Sequence, residues 1–265
     1  MGAAPLGGDR PVTLHTLTDR VVVGLGPVQG DRALSNSTVV AGASATMVVD
    51  TMISEELVAP VRSAALDLGG RPVAIVLNTH GDRDHVGGNG AFPDARVVAH
   101  RSLAEGGVAR VDEPFDAAWE TDLGELPVEV TYVGPAHSQG DSIVWLPTEG
   151  VAVTGDVVFN GLFPLVREDV ERWLSALDRL QRLEPRHVVP GHGPLGDART
   201  VAWQRSLIED VYETVKGRYT AGVPVEKAAE EGPPERLAAL PQARARWPGA
   251  VKGIYQVLDG FSGAG

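Results

Sequence analysis

Apolar residues alternate or run together in short blocks along the first half of the chain. Residues 12–17, 20–25, 37–41 and 46–50 are β-rich runs separated by Gly, Asp and Asn, which predicts a meander of strands. Residues 54–68 change period. Ser54 precedes Glu55 and Glu56, apolar positions recur at helical spacing, and Gly69-Gly70 closes the segment, so a helix is predicted. Residues 72–77 form a continuous apolar run, the pattern of a strand buried on both faces. Residues 96–99, 128–133, 142–146, 151–154 and 187–189 are further strands, and 170–183 carries helical spacing through Leu174, Leu177 and Leu180.

From Asp197 onward the pattern is helical: one long helix to about Arg218, then pieces at 225–231, 234–245 and 249–258. Residues 101–127 stand apart, with seven acids against two Arg. They read as a surface excursion with short helices, able to act as a lid. Residues 1–11 read as a flexible leader. Two strand-rich blocks, each followed by helices, predict an α/β fold. Its two mixed sheets pack face to face with helices outside, a four-layer αββα sandwich over residues 12–196, and residues 197–265 form a helical extension packed on it.

Composition narrows the chemistry. The chain has 265 residues, 43% of them hydrophobic, enough for a sizeable core. It has no cysteine, which excludes disulfides, thiolate catalysis and cysteine-ligated metals, so any metal is held by His and carboxylate. A formal charge of −12 disfavours nucleic acid and anionic membranes as partners. No secretory signal and no apolar stretch of membrane-spanning length is visible, so the expectation is a cytoplasmic protein acting on a small molecule, with a homodimer left open. No Gly-x-Ser-x-Gly motif supports a serine hydrolase.

Four of the seven histidines follow strands directly, beside Gly or Asp. His80-Gly81-Asp82-Arg83-Asp84-His85 puts four candidate ligands within six residues; His137 follows Gly134-Pro135, Asp156 follows Thr154-Gly155, and His192 lies in Pro190-Gly191-His192-Gly193. Turns at strand ends are rigid anchors, and imidazole nitrogen with carboxylate oxygen suits zinc, iron or manganese. His15, His100 and His187 lack such company and read as surface or strand-end histidines.

These motifs, in this order, resemble those of the metallo-β-lactamase superfamily, and Asp50, closing an apolar strand, resembles its first motif. The likeness spans roughly residues 12 to 195 and is nearer the acyl-hydrolase branch that includes glyoxalase II and lactonases than the nuclease branch. The resemblance implies two divalent metal ions, zinc first, with iron or manganese as alternatives. One site would use His80, Asp82 and His137, the other Asp84, His85 and His192, with Asp156 bridging and Asp50 orienting a ligand histidine. It also implies a hydrolase in which a metal-bound hydroxide attacks an ester, thioester or lactone carbonyl, with Asp84 and Asp156 catalytic.

Asp82 departs from the pattern, which has a second His at that place. It binds directly, binds through water, or falls short and leaves a mononuclear protein. Flavodiiron proteins are similar in carrying a carboxylate there, which keeps a di-iron redox enzyme as an alternative, beside β-lactam hydrolysis and a non-catalytic binding protein. Phe159 and Phe163, after the bridging Asp156, are expected to rim the pocket, and Trp119 in the acidic excursion to touch substrate.

Overall fold

The computed structural model describes residues 11–260. Residues 1–10 of the expected leader and the last five residues of the expected extension lie outside the described residues.

The chain opens with β1 (Thr13–Thr18), β2 (Val21–Leu25), the hairpin β3 (Val28–Gln29) and β4 (Arg32–Ala33), β5 (Ser37–Ala41) and β6 (Thr46–Val49). Helix α1 (Glu55–Gly69) follows. The Ser54 hydroxyl accepts from the Leu57 N–H at its start, and Gly70, in the left-handed region at φ 60°, ends it with an N–H to the Leu66 carbonyl. Next come β7 (Ile75–Asn78), the single turn α2 (Arg83–Val86), β8 (Arg96–His100), the short α3 (Arg101–Glu105) and β9 (Glu113–Phe115). Strands β1, β2, β5, β6, β7, β8 and β9 make the first sheet in that order, antiparallel as far as β6 and parallel from there.

The second sheet is β10 (Ala118–Asp122), β11 (Pro127–Tyr132), β12 (Ser142–Leu146), β13 (Val151–Val153) and β14 (His187–Val189), with only the last pair parallel. Helix α4 (Val170–Arg182) connects β13 to β14, and α5 (Ala198–Thr220), α6 (Val225–Glu230), α7 (Glu235–Ala238) and α8 (Ala243–Leu258) follow. Asp197 and Thr200 form a reciprocal capping box at the start of α5.

Side chains on a strand point alternately to its two faces, and the burial follows that rule. Val21, Val23, Met47, Val49, Ile75 and Leu77 face Val128, Val130, Val144, Val151 and Val153 between the sheets. Their neighbours Val22, Val48 and Val76 turn outward under Val58, Val61 and Ala65 of α1. On the far side Ile143, Ala152 and Val188 of the second sheet meet Trp173 and Leu177 of α4, Val211 of α5 and Trp247 of α8. The architecture is the expected αββα sandwich with C-terminal helices.

Two local expectations are corrected. Residues 101–127 open with the expected short helix, α3, but continue into the strands β9 and β10 rather than into further helices. In β10 Trp119 and Thr121 turn toward the protein while Ala118, Glu120 and Asp122 face solvent, so acids filled the outer face of an edge strand. The helix expected at 234–245 stops at Ala238, because Pro241 restricts the residue before it and Gln242 takes φ 64°; α8 then runs unbroken through 249. The hairpin β3–β4 is an element the residue pattern did not announce.

Candidate metal centre

Strands β6 and β7 run parallel, as do β13 and β14, and every chemistry-bearing turn leaves the C-terminal end of its strand. Asp50 follows β6, His80 follows β7, His137 follows β11, Asp156 follows β13 and His192 follows β14. Asp82 stands at the N-cap position of α2 without a side-chain capping bond, and the one turn of that helix carries Asp84 and His85. Packing the two sheets face to face brings these turns together, the usual place for a ligand in an open α/β sheet.

The loops are pinned by buried polar groups. Asp141 accepts the Ala136 and Ser138 N–H groups around His137, and Asn36 donates to the Pro190 and Gly193 carbonyls around His192. Gly191 is required by close approach: a Cβ there would stand 2.0 Å from Asp156 Oδ1.

All seven expected ligands converge. His80, Asp82, His137 and Asp156 form one group of mutually close donor atoms, and Asp84, His85 and His192 another. Asp156 lies between them. Its Oδ1 is 3.1 Å from His85 Nε2 and 3.3 Å from His192 Nε2, while its Oδ2 is 3.4 Å from His137 Nε2 and 3.8 Å from His80 Nε2. Asp84 Oδ2 is 3.4 Å from His192 Nε2. All four histidines are buried, three of them completely.

In every one of them Nδ1 is engaged by an oxygen. His85 Nδ1 donates to Asp50 Oδ2 at 2.7 Å, His137 Nδ1 to the Leu165 carbonyl at 2.9 Å and His192 Nδ1 to the Ala33 carbonyl at 2.8 Å. His80 Nδ1 donates to Thr79 Oγ1 at 3.0 Å, and that hydroxyl donates to Asp50 Oδ2 at 2.7 Å. Asp50 Oδ1 also accepts the Thr79 N–H at 2.8 Å. The network assigns the tautomer with the Nε2 lone pair turned inward in all four rings.

That inward set needs a cation. His80 Nε2 and Asp156 Oδ1 are buried with no hydrogen-bond partner, and the Nε2 atoms of His85 and His192 face each other at 3.4 Å. Burial alone would lower His85 and His192, yet the Asp156 charge, joined at His85 by Asp50, holds both above the ordinary 6.5. Burial alone would raise Asp156, but the charges of His192 and His85 keep it well below the carboxylate range. Asp82 is likewise lowered: its burial is outweighed by the neighbouring His137 and His80 imidazoles and by the Arg167 charge.

The aromatic expectations fare differently. Phe163 does not rim the pocket: it is fully buried, its ring 6.3 Å from Trp247. Phe159 is 1% exposed and lies parallel to the His192 ring at 5.4 Å, so it packs behind a histidine rather than offering a face to substrate. Trp119 is held in its sheet, its indole N–H donating to Glu113 at 2.7 Å, and forms no lid. Among the remaining histidines, His100 stacks on Tyr132 at 3.9 Å, and His15 and His187 lie in β1 and at the start of β14.

Two arginines escaped the sequence reading. Arg167 Nη2 donates to Asp82 Oδ2 at 2.7 Å and lies 2.5 Å from His137 Nε2. Arg246 of α8 lies over the Phe159 ring at 5.1 Å and donates to the Phe163 carbonyl. Neither sits in a motif, so no local signal marked them.

The profile of the metallo-beta-lactamase superfamily matches residues 30–192. A metallo-beta-lactamase type 2 from Bacteroides fragilis is 23% identical over 218 residues, covering 77% of this chain and 88% of that protein. A hydroxyacylglutathione hydrolase from Synechococcus sp. (strain JA-3-3Ab) is 32% identical over 142 residues, covering 51% and 53%. Among solved structures, a metallo-beta-lactamase from Pontibacter korlensis superimposes with a TM-score of 0.66 at 21% identity, over 75% of this chain and 99% of that one, a likeness of fold.

Proposed function

The chain belongs to the metallo-beta-lactamase superfamily, and on that premise we propose that it is a metal-dependent hydrolase of an ester, thioester or lactone. The observation that carries the reading is Asp156, whose two carboxylate oxygens each face a separate pair of inward imidazole nitrogens. Among the described residues no helix is long and apolar enough to cross a membrane, and the substrate we assign is a small molecule.

Zinc is the metal we assign, since three to four imidazole and carboxylate donors suit it, and Asp84, His85 and His192, with Asp156 beside the two histidines, would hold it. When bound, the cation supplies Lewis acidity and brings the pKa of water toward neutrality. The rest falls to the chain. Asp156 stays ionised because its neighbours hold its pKa down. Asp50 fixes the His85 ring, and the Ala33 carbonyl fixes His192. Phe159 stacks on the His192 ring and backs it. Asp84, 30% exposed, has an oxygen toward solvent and is the group we assign to take a proton and return it to the leaving group.

The second reading, β-lactam amide hydrolysis, is favoured by the wide coverage of the Bacteroides fragilis relative. One experiment separates the readings. The zinc-loaded protein and Asp156→Asn are assayed on a p-nitrophenyl ester, an aromatic thioester, a δ-lactone and a cephalosporin. Turnover of an ester, thioester or lactone, reduced roughly 100- to 1,000-fold in the variant together with its zinc content, supports the proposal. Turnover of the cephalosporin alone moves it to the second reading, and no turnover with full zinc overturns both.

A further inference from the structure

The first group of donors already contains a cation. Arg167 Nη2 stands 2.7 Å from Asp82 Oδ2 and 2.5 Å from His137 Nε2, so two of the four donor atoms in that group are turned onto one guanidinium nitrogen. His137 Nδ1 donates to the Leu165 carbonyl, which leaves Nε2 as an acceptor for the Arg167 N–H. Leu165 is two residues before Arg167, and Val166 between them is buried against α8, so the backbone that holds His137 also holds the arginine. A guanidinium is charged at every accessible pH, and its bond to a carboxylate is charge-assisted on both sides where its bond to a neutral imidazole is not.

We propose that Arg167 is the permanent cation of the first subsite, paired with Asp82, and that the chain consequently binds one metal ion, at Asp84, His85, His192 and Asp156 Oδ1. The departure at residue 82 then has a reason. An imidazole there would be neutral and leave Arg167 without a countercharge, whereas a carboxylate pairs with it. A dication ligated by Asp82 Oδ2 and His137 Nε2 would lie against the guanidinium, with like charges in contact and two donor atoms already taken by the arginine. The second subsite has no such guest. His85 Nε2 and His192 Nε2 face each other and the two carboxylates; the Arg246 guanidinium is near enough for its charge to act on Asp156 and Asp84, but it lies over the Phe159 ring and donates to the Phe163 carbonyl, and no ion pair to a ligand oxygen is made among the described residues.

The inference rests on the metal-dependent reading above and is tested by counting metal rather than by activity. Full-length protein is stripped with a chelator, loaded with zinc and separately with manganese, freed of unbound ion by gel filtration, and its metal content measured. Wild type is expected to hold one equivalent, and Arg167→Met and Arg167→Met/Asp82→His two. Two equivalents in wild type overturn the inference and leave the hydrolase reading standing; none in wild type overturns both. One equivalent in both variants, with native circular dichroism, shows that Arg167 is not what bars the second ion and overturns it too. Anomalous density in zinc-soaked wild-type crystals decides the matter if the variants do not fold. A single peak between Asp84, His85 and His192 supports the inference, and a peak between His80, Asp82 and His137 overturns it.

Discussion

Asp50→Asn isolates the part of the centre that aims the histidines. Asp50 sits at φ 57°, a left-handed conformation that Asn adopts as readily as Asp, so the substitution leaves the backbone undisturbed. The change lies in the protons. Oδ2 accepts from His85 Nδ1 at 2.7 Å and from Thr79 Oγ1 at 2.7 Å, while Oδ1 accepts the Thr79 N–H at 2.8 Å. In the variant the amide oxygen keeps the bond from the Thr79 N–H, and the NH2 group replaces Oδ2. It can only donate, so His85 must carry its proton on Nε2, the atom that faces Asp156.

The reversal continues one residue further. Thr79 Oγ1 now accepts from the amide and turns its proton to His80 Nδ1, which pushes the His80 proton to its own buried Nε2. One charge-neutralising substitution thus protonates two inward nitrogens. The expected loss in zinc affinity is about 10- to 100-fold, or roughly 1.4–2.7 kcal/mol. Competition against a chromophoric chelator at neutral pH measures it, with thermal unfolding of the metal-free variant as the check on folding. A folded Asp50→Asn protein that binds zinc as tightly as wild type would refute the reasoning, because the ligand tautomers would then not depend on Asp50.

Stability of the metal-free protein should fall, not rise, above neutral pH. His85 and His192 have folded pKa values raised above 6.5, so the stability they contribute is complete below that value and is lost as pH climbs through the raised values. Asp82 and Asp156 are lowered from 3.8, so theirs is complete above that value and is lost in stronger acid. Unfolding midpoints in chelator should therefore decline as pH rises above the ordinary 6.5 and those with zinc should not, since zinc and protons compete for the same nitrogens; a steady rise in chelator contradicts the assignment. In the C-terminal helices, Trp247→Ala removes a fully buried ring and one of the two donors to the Ala228 carbonyl, the other being Arg218. Chemical denaturation should show a loss of about 3–5 kcal/mol, and a loss under about 1 kcal/mol would mean that α8 does not share the core of the second sheet.

Much of the centre is legible in the sequence because it is made of local patterns. A buried strand shows as an apolar run, a rigid turn as Gly and Pro, and the ligand types stand directly after the strands, at His80, His137, Asp156 and His192. Two strand-rich blocks, each followed by helices, likewise predict two sheets with outer helices, but in continuous runs such as Val21-Val22-Val23 only the fold decides which valine faces the other sheet. Where charge masked the period, as in β10, the pattern misled: acids on the solvent face of an edge strand look like a loop.

Packing alone decided the rest. Which oxygen of Asp156 faces which histidines, which rings lie behind the ligands and which nitrogen of each imidazole keeps its lone pair depend on loops that meet only when two sheets close on each other. Arg167 shows this best: it stands 85 positions from Asp82, carries no motif and has no helical or strand period. A side chain's partner across such a distance follows from the geometry of the closed sandwich, since turn chemistry and periodicity act over only a few neighbouring residues.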